Sequence, residues 1–304
     1  MTRLGELRQL IADNEIRGGS AFGRAIAEVV ALTVEERPFA CGEAVREAAL
    51  AAAAWGVATK PSMTSLRAVE NLARNTLDAH PGAAPPVLVA AVAAAMRAFV
   101  ARSEAAIASL ADAGEPLFKP GAVVVTHSFS ESLVHVLRRG ARAQPDLTVV
   151  LTESRPLRES RHLARALEHL PVTLKLYSDA GMALAVKSAD FALIGADAIL
   201  ADGSFANKTG SLPLALACRY FSVPCHVAAE LSKVYLGPPS DVLMEVRPDA
   251  ELAGDWALAV DGRVKVVNQF FETVPAEFVA GYVTDHGLLS PAEAVAKARA
   301  LSVL

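Results

Sequence analysis

The stretch Phe191-Ala-Leu-Ile-Gly-Ala-Asp197 carries the reading of the fold. Four apolar residues lead into a glycine, and a carboxylate follows two positions on. A short apolar run bounded in this way reads as a buried strand, and Gly195 lets the backbone turn at its end. The same grammar repeats on either side. Candidate strands are Ala122–Val125, Leu147–Leu151, Val172–Leu176, Phe191–Ile194 and Cys225–Ala228. Helix-like segments separate them: Glu131–Ala143, Leu157–Glu168, Met182–Lys187 and Leu212–Phe221. Apolar strands alternating with helices predict an α/β domain whose parallel sheet is covered on both faces.

Before about Phe118 the pattern is helical. Leu4, Leu7, Leu10 and Ile11 fall on one helical face. Segments 21–33, 43–57, 64–78 and 86–112 are rich in Ala, Leu, Arg and Glu, all good helix formers. Breaks come at Arg17-Gly-Gly19, Lys60-Pro61 and His80-Pro-Gly82. The Pro/Gly-rich stretch 113–121 marks a boundary, so a helical domain over 1–115 and an α/β domain over 116–304 are expected.

In open parallel sheets, ligands bind outside the carboxyl ends of the strands. Each candidate strand ends on polar groups: Thr126-His127-Ser128, Thr152-Glu153 with Arg155, Ser178-Asp179, Gly195-Ala-Asp197, and Glu230 with Ser232 and Lys233. These ends should converge on one crevice. Ser128 and Glu131 have the spacing of a capping box, which could start the next helix. Glu153 and Arg155 read as a structural ion pair, and His127 as a packed histidine rather than a base. A carboxylate at a buried strand end is costly unless it is paired or used, which singles out Asp197 as an acid–base candidate. Asn207-Lys208-Thr-Gly210 precedes the predicted helix 212–221, and a helix N-terminus beside a lysine suits a phosphate. Arg17 and Lys60 sit at breaks in the helical half, where a cation can reach a ligand.

Bulk properties narrow the classes. The 304 residues carry 29 Lys+Arg against 33 Asp+Glu, a net charge of −4. No strong positive field is available for direct nucleic-acid binding. The three cysteines show no metal-ligand spacing, and no metal is expected. A reducing, cytoplasmic location fits, and the N-terminus lacks the apolar core of a signal peptide. The alanine-rich runs are too short to span a bilayer, so no membrane partner is expected. G-x-G-x-x-G, P-loop and G-x-S-x-G patterns are missing from the sequence, and no cofactor is expected.

The same residues resemble a known family. It holds the regulatory alpha, beta and delta subunits of eukaryotic initiation factor 2B, their archaeal relatives, and two sugar-phosphate isomerases. These isomerases act on methylthioribose 1-phosphate and ribose 1,5-bisphosphate. The matching segments are Glu15-Ile-Arg-Gly-Gly19, Lys60-Pro-Ser62, Thr126-His-Ser-Phe-Ser130, Thr152-Glu-Ser-Arg-Pro156, Gly195-Ala-Asp197 through Asn207-Lys-Thr-Gly210, and Asn268–Pro291. The resemblance implies a helical N-terminal domain, a Rossmann-like C-terminal domain, and a homodimer or higher homo-oligomer. It implies a phosphate held by Arg17, Gly18, Lys60 and Lys208, with Asn207 near the sugar. In the isomerases, the cysteine of the Thr-His-Cys segment and the aspartate of Gly-Ala-Asp do the chemistry. Here Asp197 keeps the aspartate, Ser128 stands at the cysteine position, and Lys60 replaces an arginine that would grip a phosphate bidentately.

That split sets the functional expectation. Converting an aldose 1-phosphate to its ketose needs one group to protonate the ring oxygen and another to accept the C2 hydroxyl proton. A carboxylate and a thiol can both be tuned for this near neutrality, whereas a serine hydroxyl is a much poorer acid. A sugar-phosphate isomerase using Asp197 and Ser128 is one expectation. A sugar-phosphate sensor without catalysis, or a regulatory subunit like those of initiation factor 2B, is the alternative.

Overall fold

The structure is a computed structural model that describes residues 2–13, 15–61, 63–242, 244–254 and 264–301. Ser62, the last residue of the Lys60-Pro-Ser62 segment, lies outside them. The chain forms two compact units, Met1–Ala108 and Ser109–Leu304.

The first unit is built from α1 (Arg3–Ala12), α2 (Gly19–Glu35), α3 (Gly42–Thr59), α4 (Thr64–Asp78) and most of α5 (Pro85–Gly114). Each expected helix is present, and the division between the units falls within α5. Gly18 stands before α2 with φ +85°, a conformation that favours glycine and accounts for the break there. Ile26, Val29, Val30, Leu66, Val69, Leu77 and Met96 are buried together. Each such side chain contributes roughly 1.5–3 kcal/mol, and α3 supplies mainly alanines (Ala49, Ala52, Ala53) to this core. The alanine run expected to be too short for a bilayer belongs to a longer helical segment, Pro85–Leu117, in which one 18-residue window has a mean hydropathy of 1.5. By length and composition that segment could cross a membrane. Its Leu88, Val92, Ala93 and Met96 instead pack into the core of the helical unit, and Arg97 pairs with Glu35 at 2.6 Å.

The second unit continues with β1 (Val123–Thr126), α6 (Glu131–Ala143), β2 (Thr148–Thr152), α7 (Ser160–Leu167), β3 (Thr173–Tyr177), α8 (Met182–Lys187), β4 (Phe191–Gly195), β5 (Ala198–Leu200), β6 (Phe205–Lys208), α9 (Ser211–Phe221), β7 (Cys225–Ala228), β8 (Val234–Tyr235), α10 (Asp249–Ala253), β9 (Phe271–Val274), β10 (Gly281–Thr284), β11 (Gly287–Leu289) and α11 (Pro291–Leu301). The main sheet has the order β11-β10-β7-β4-β1-β2-β3. All its pairings are parallel except that of β10 with β11. The fold is therefore α/β, with a helical N-terminal region and a Rossmann-like, mostly parallel sheet.

Two expectations change. Coverage on both faces holds for β1, β4 and β7, but β3 lies at the sheet edge, with Leu176 69% exposed. A second sheet, β8-β5-β6-β9, was not expected at all. Its hairpin turns at Asp202-Gly203, where Asp202 Oδ1 accepts the Ser204 N–H at 3.0 Å and Gly203 has φ +81°.

Candidate functional site

From β1 the chain runs outward to β2 and β3, then returns to place β4 on the other side of β1. This is a topological switch point, where the loops after two neighbouring strands diverge and leave a crevice. Thr126-His127-Ser128 ends one side of it, and Gly195-Ala196-Asp197 ends the other. Gly195 is required by close approach: a β-carbon there would lie 2.5 Å from Ser130 Cβ.

His127 is a packed histidine, as expected. Its Nε2 lies 2.9 Å from Thr209 O, so this nitrogen carries the hydrogen and donates. Nδ1 then accepts from the Thr152 hydroxyl at 2.6 Å. Burial lowers the imidazole pKa, which keeps the ring neutral.

Ser128 is not a helix cap. Ser130 precedes α6, and Ser128 instead adopts φ +69°. Its N–H donates to Ser154 Oγ at 2.6 Å and its hydroxyl donates to Glu159 Oε2 at 2.9 Å. Nor does an ion pair join Glu153 to Arg155. The backbone N–H groups of Ser154 and Arg155 donate to the Asp179 carboxylate at 2.9 and 2.7 Å, and the Arg155 guanidinium donates to Leu252 O. Asp179 thereby ties the loop after β2 to the turn that follows β3.

Asn207 and Lys208 do not lie in a solvated turn before α9. They are the last residues of β6, buried and paired antiparallel with β9. The Asn207 amide donates to Ser211 Oγ at 2.8 Å, and that hydroxyl donates to Lys208 O at 2.7 Å. Lys208 Nζ lies 2.6 Å from Glu159 Oε2 and 3.2 Å from the centroid of the Phe270 ring. Burial lowers the lysine pKa, and the Glu159 carboxylate opposes that shift. The helix N-terminus beside it is also taken. Glu272 Oε1 accepts the N–H groups of Gly210 at 2.7 Å and Leu212 at 2.9 Å. The anion expected at this helix end is thus a side chain of the protein itself.

Asp197 follows β4, with its N–H donating to Ala206 O at 2.9 Å. Burial raises its pKa from 3.8 to about 6, with Lys233 and Lys208 pulling it down and Glu159 pushing it up. Lys233, itself buried, donates to Ala196 O at 3.0 Å and pairs with Glu230 at 3.3 Å. A carboxyl that changes charge near neutrality, beside two ammonium groups, can both give and take a proton.

The structure places Asp197, Ser128, Asn207 and Lys208 in this one unit. Arg17, Gly18 and Lys60 belong to the helical unit. Arg17 is exposed ahead of α2, and Lys60 terminates α3. Sequence reasoning missed Glu159 and Glu272, and named Lys233 only as a strand-end group. Among the described residues, no group of three or more His, Cys, Asp or Glu side chains is placed to hold a metal ion.

Fold and site together define a Rossmann-like α/β protein with charged groups gathered at its strand ends and a helical N-terminal region. Residues 15–291 match the initiation factor 2 subunit family, and the chain belongs to it. It is 31% identical over 292 residues to an eIF-2B subunit 2-like protein of Pyrococcus abyssi, covering 95% of this chain and 97% of that one. It is 30% identical over 289 residues to the ribose 1,5-bisphosphate isomerase of Haloferax volcanii, covering 94% and 88%. The solved structure of translation initiation factor eIF-2B from Pyrococcus horikoshii superposes with a TM-score of 0.81 at 29% identity, over 97% of this chain and 99% of that one. The relatives thus include both isomerases and initiation-factor-like proteins.

Proposed function

We propose that the chain binds a phosphorylated sugar at its switch-point crevice and isomerises an aldose 1-phosphate to the ketose 1-phosphate. The observation that carries this is Asp197, a partly buried strand-end carboxyl with its pKa near 6, held in the field of Lys233 and Lys208. In the proposed reaction the protonated Asp197 gives its proton to the ring oxygen as the C1–ring-oxygen bond breaks. Hydrogen moves from C2 to C1, and the C2 hydroxyl proton leaves through Ser128 to restore the balance. Lys208 would attract the phosphate, with Asn207 near the sugar. On the family resemblance, Arg17, Gly18 and Lys60 are proposed as further phosphate ligands, and the chain as a homo-oligomer.

A second reading is favoured by one feature. Ser128 supplies a hydroxyl where the isomerases use a thiol, and losing a tuned acid or base costs roughly 10²–10⁴ in rate. On that reading the chain is a sugar-phosphate sensor or a regulatory subunit. Incubation with ribose 1,5-bisphosphate and with methylthioribose 1-phosphate, followed by product detection, separates the two. Ketose product supports the isomerase. Thermal stabilisation by the sugar phosphate without product supports the sensor, and capture of a distinct partner chain supports the subunit.

A further inference from the structure

Lys208 is the cation of the second unit that the family resemblance assigns to the phosphate, yet it already has an anion. Its Nζ is 2.6 Å from Glu159 Oε2. Glu159 stands at the N-cap position of α7 but makes no side-chain cap there. Its carboxylate turns inward, where Ser128 donates to the same oxygen at 2.9 Å. The two partners differ in freedom. The Lys208 side chain is 2% exposed and rests against Phe270, while Glu159 is 21% exposed. If the pair opens, the lysine stays and the glutamate turns to water. The amides of α9 offer an incoming anion little help, because Glu272 holds those of Gly210 and Leu212.

We propose that Glu159 is a gate on the Lys208 subsite: a built-in carboxylate that an incoming anion must displace, so that a singly charged ligand gains little there while a phosphate dianion still binds. The inference rests on the sugar-phosphate reading above and adds the residue that competes for its lysine. The physical reason is charge exchange. A monoanion that replaces Glu159 trades one unit charge for another at the same ammonium, and gains little. A phosphate monoester brings two charges and gains on the exchange. The displaced carboxylate remains at the N-terminus of α7, where the helix dipole favours it.

The test measures binding of inorganic phosphate and of nitrate at pH 8 by calorimetry, with the full chain, E159Q, E159D and K208M. Wild type should take phosphate and discriminate against nitrate. E159Q removes the competing charge at nearly constant shape. It should bind both anions about tenfold more tightly, because each is freed from the same competitor, and leave the phosphate-to-nitrate ratio unchanged or wider. E159D, which draws the carboxylate back by one methylene, should fall between the two and serves if E159Q does not fold. K208M should bind neither anion tightly, which places the effect at this lysine. Phosphate binding by wild type that is unchanged or weaker in both E159Q and E159D overturns the gate and leaves the sugar-phosphate reading standing. Failure of every variant, wild type included, to bind phosphate or a sugar phosphate overturns both.

Discussion

The His127 ring occupies the space that a β-carbon on Gly210 would need. Gly210 has φ +113°, and an added β-carbon would collide with His127 Nε2. The same nitrogen donates to Thr209 O at 2.9 Å, so ring and turn are locked to each other. Gly210→Ala should therefore cost about 3 kcal/mol or more, from the positive φ and the displaced ring together. The check is the urea midpoint of the purified variant. The double variant with His127→Ala should lose less than the sum of the single losses, because the collision partner is gone.

Glu272 stands where an external anion was expected. Its carboxylate takes two amides at the start of α9, which is the work of a helix cap done from another strand. Glu272→Ala should destabilise by about 1–2 kcal/mol. Glu272→Gln keeps an acceptor and should lose about half as much. Hydrogen exchange should report the mechanism, with the Gly210 and Leu212 amides exchanging faster in the alanine variant than in the glutamine one. Unchanged exchange at both amides would remove Glu272 from this role.

How much of this was legible follows from distance along the chain. Five parallel strands could be read because each is a short apolar run between helix-forming segments. Their polar ends could be placed in one region because parallel strands all leave the sheet at the same edge. The second sheet was hidden because Phe205-Ala-Asn-Lys208 carries three residues of low strand propensity. The Asp202-Gly203 pair was the available signal, being a strong hairpin turn between Leu200 and Phe205. The partners of the site were hidden for another reason. Gly210 and Glu272 are 62 residues apart, and no local pattern joins a carboxylate to an amide at that range. The lysine was visible in sequence, and the carboxylate that neutralises it was not.

Ser128 tests whether the crevice lacks only one proton carrier. Its backbone already has φ +69°, and cysteine adds no new backbone constraint there. Its hydroxyl lies 2.9 Å from Glu159 in the ligand-free site, and a thiol in the same place ionises far more readily than that hydroxyl. Ser128→Cys should raise kcat on an aldose 1-phosphate by about 10²-fold, with KM changed only severalfold. Steady-state kinetics with ribose 1,5-bisphosphate provide the check. An unchanged or lower kcat would mean that Ser128 is not at the acid–base position.

Asp197 should show the opposite bargain between stability and function. Burial raises its pKa from 3.8 to about 6. A carboxyl whose folded pKa lies above its unfolded one favours folding in its neutral form. That stability is full below about pH 4, and it is lost as the pH rises through about 6. The difference corresponds to roughly 3 kcal/mol at most. Asp197→Asn keeps the shape without the charge, so it should be more stable than wild type by up to roughly that amount at pH 8, with the gain shrinking toward pH 4. Denaturation at several pH values measures this. On the proposed mechanism, the same variant should lose turnover by roughly 10²–10⁴. In the wild type, kcat/KM should fall as the pH rises above about 6, because the ring oxygen needs the protonated acid. A variant destabilised equally at pH 4 and pH 8 would show that the carboxylate is compensated by its lysines rather than held at a cost for use.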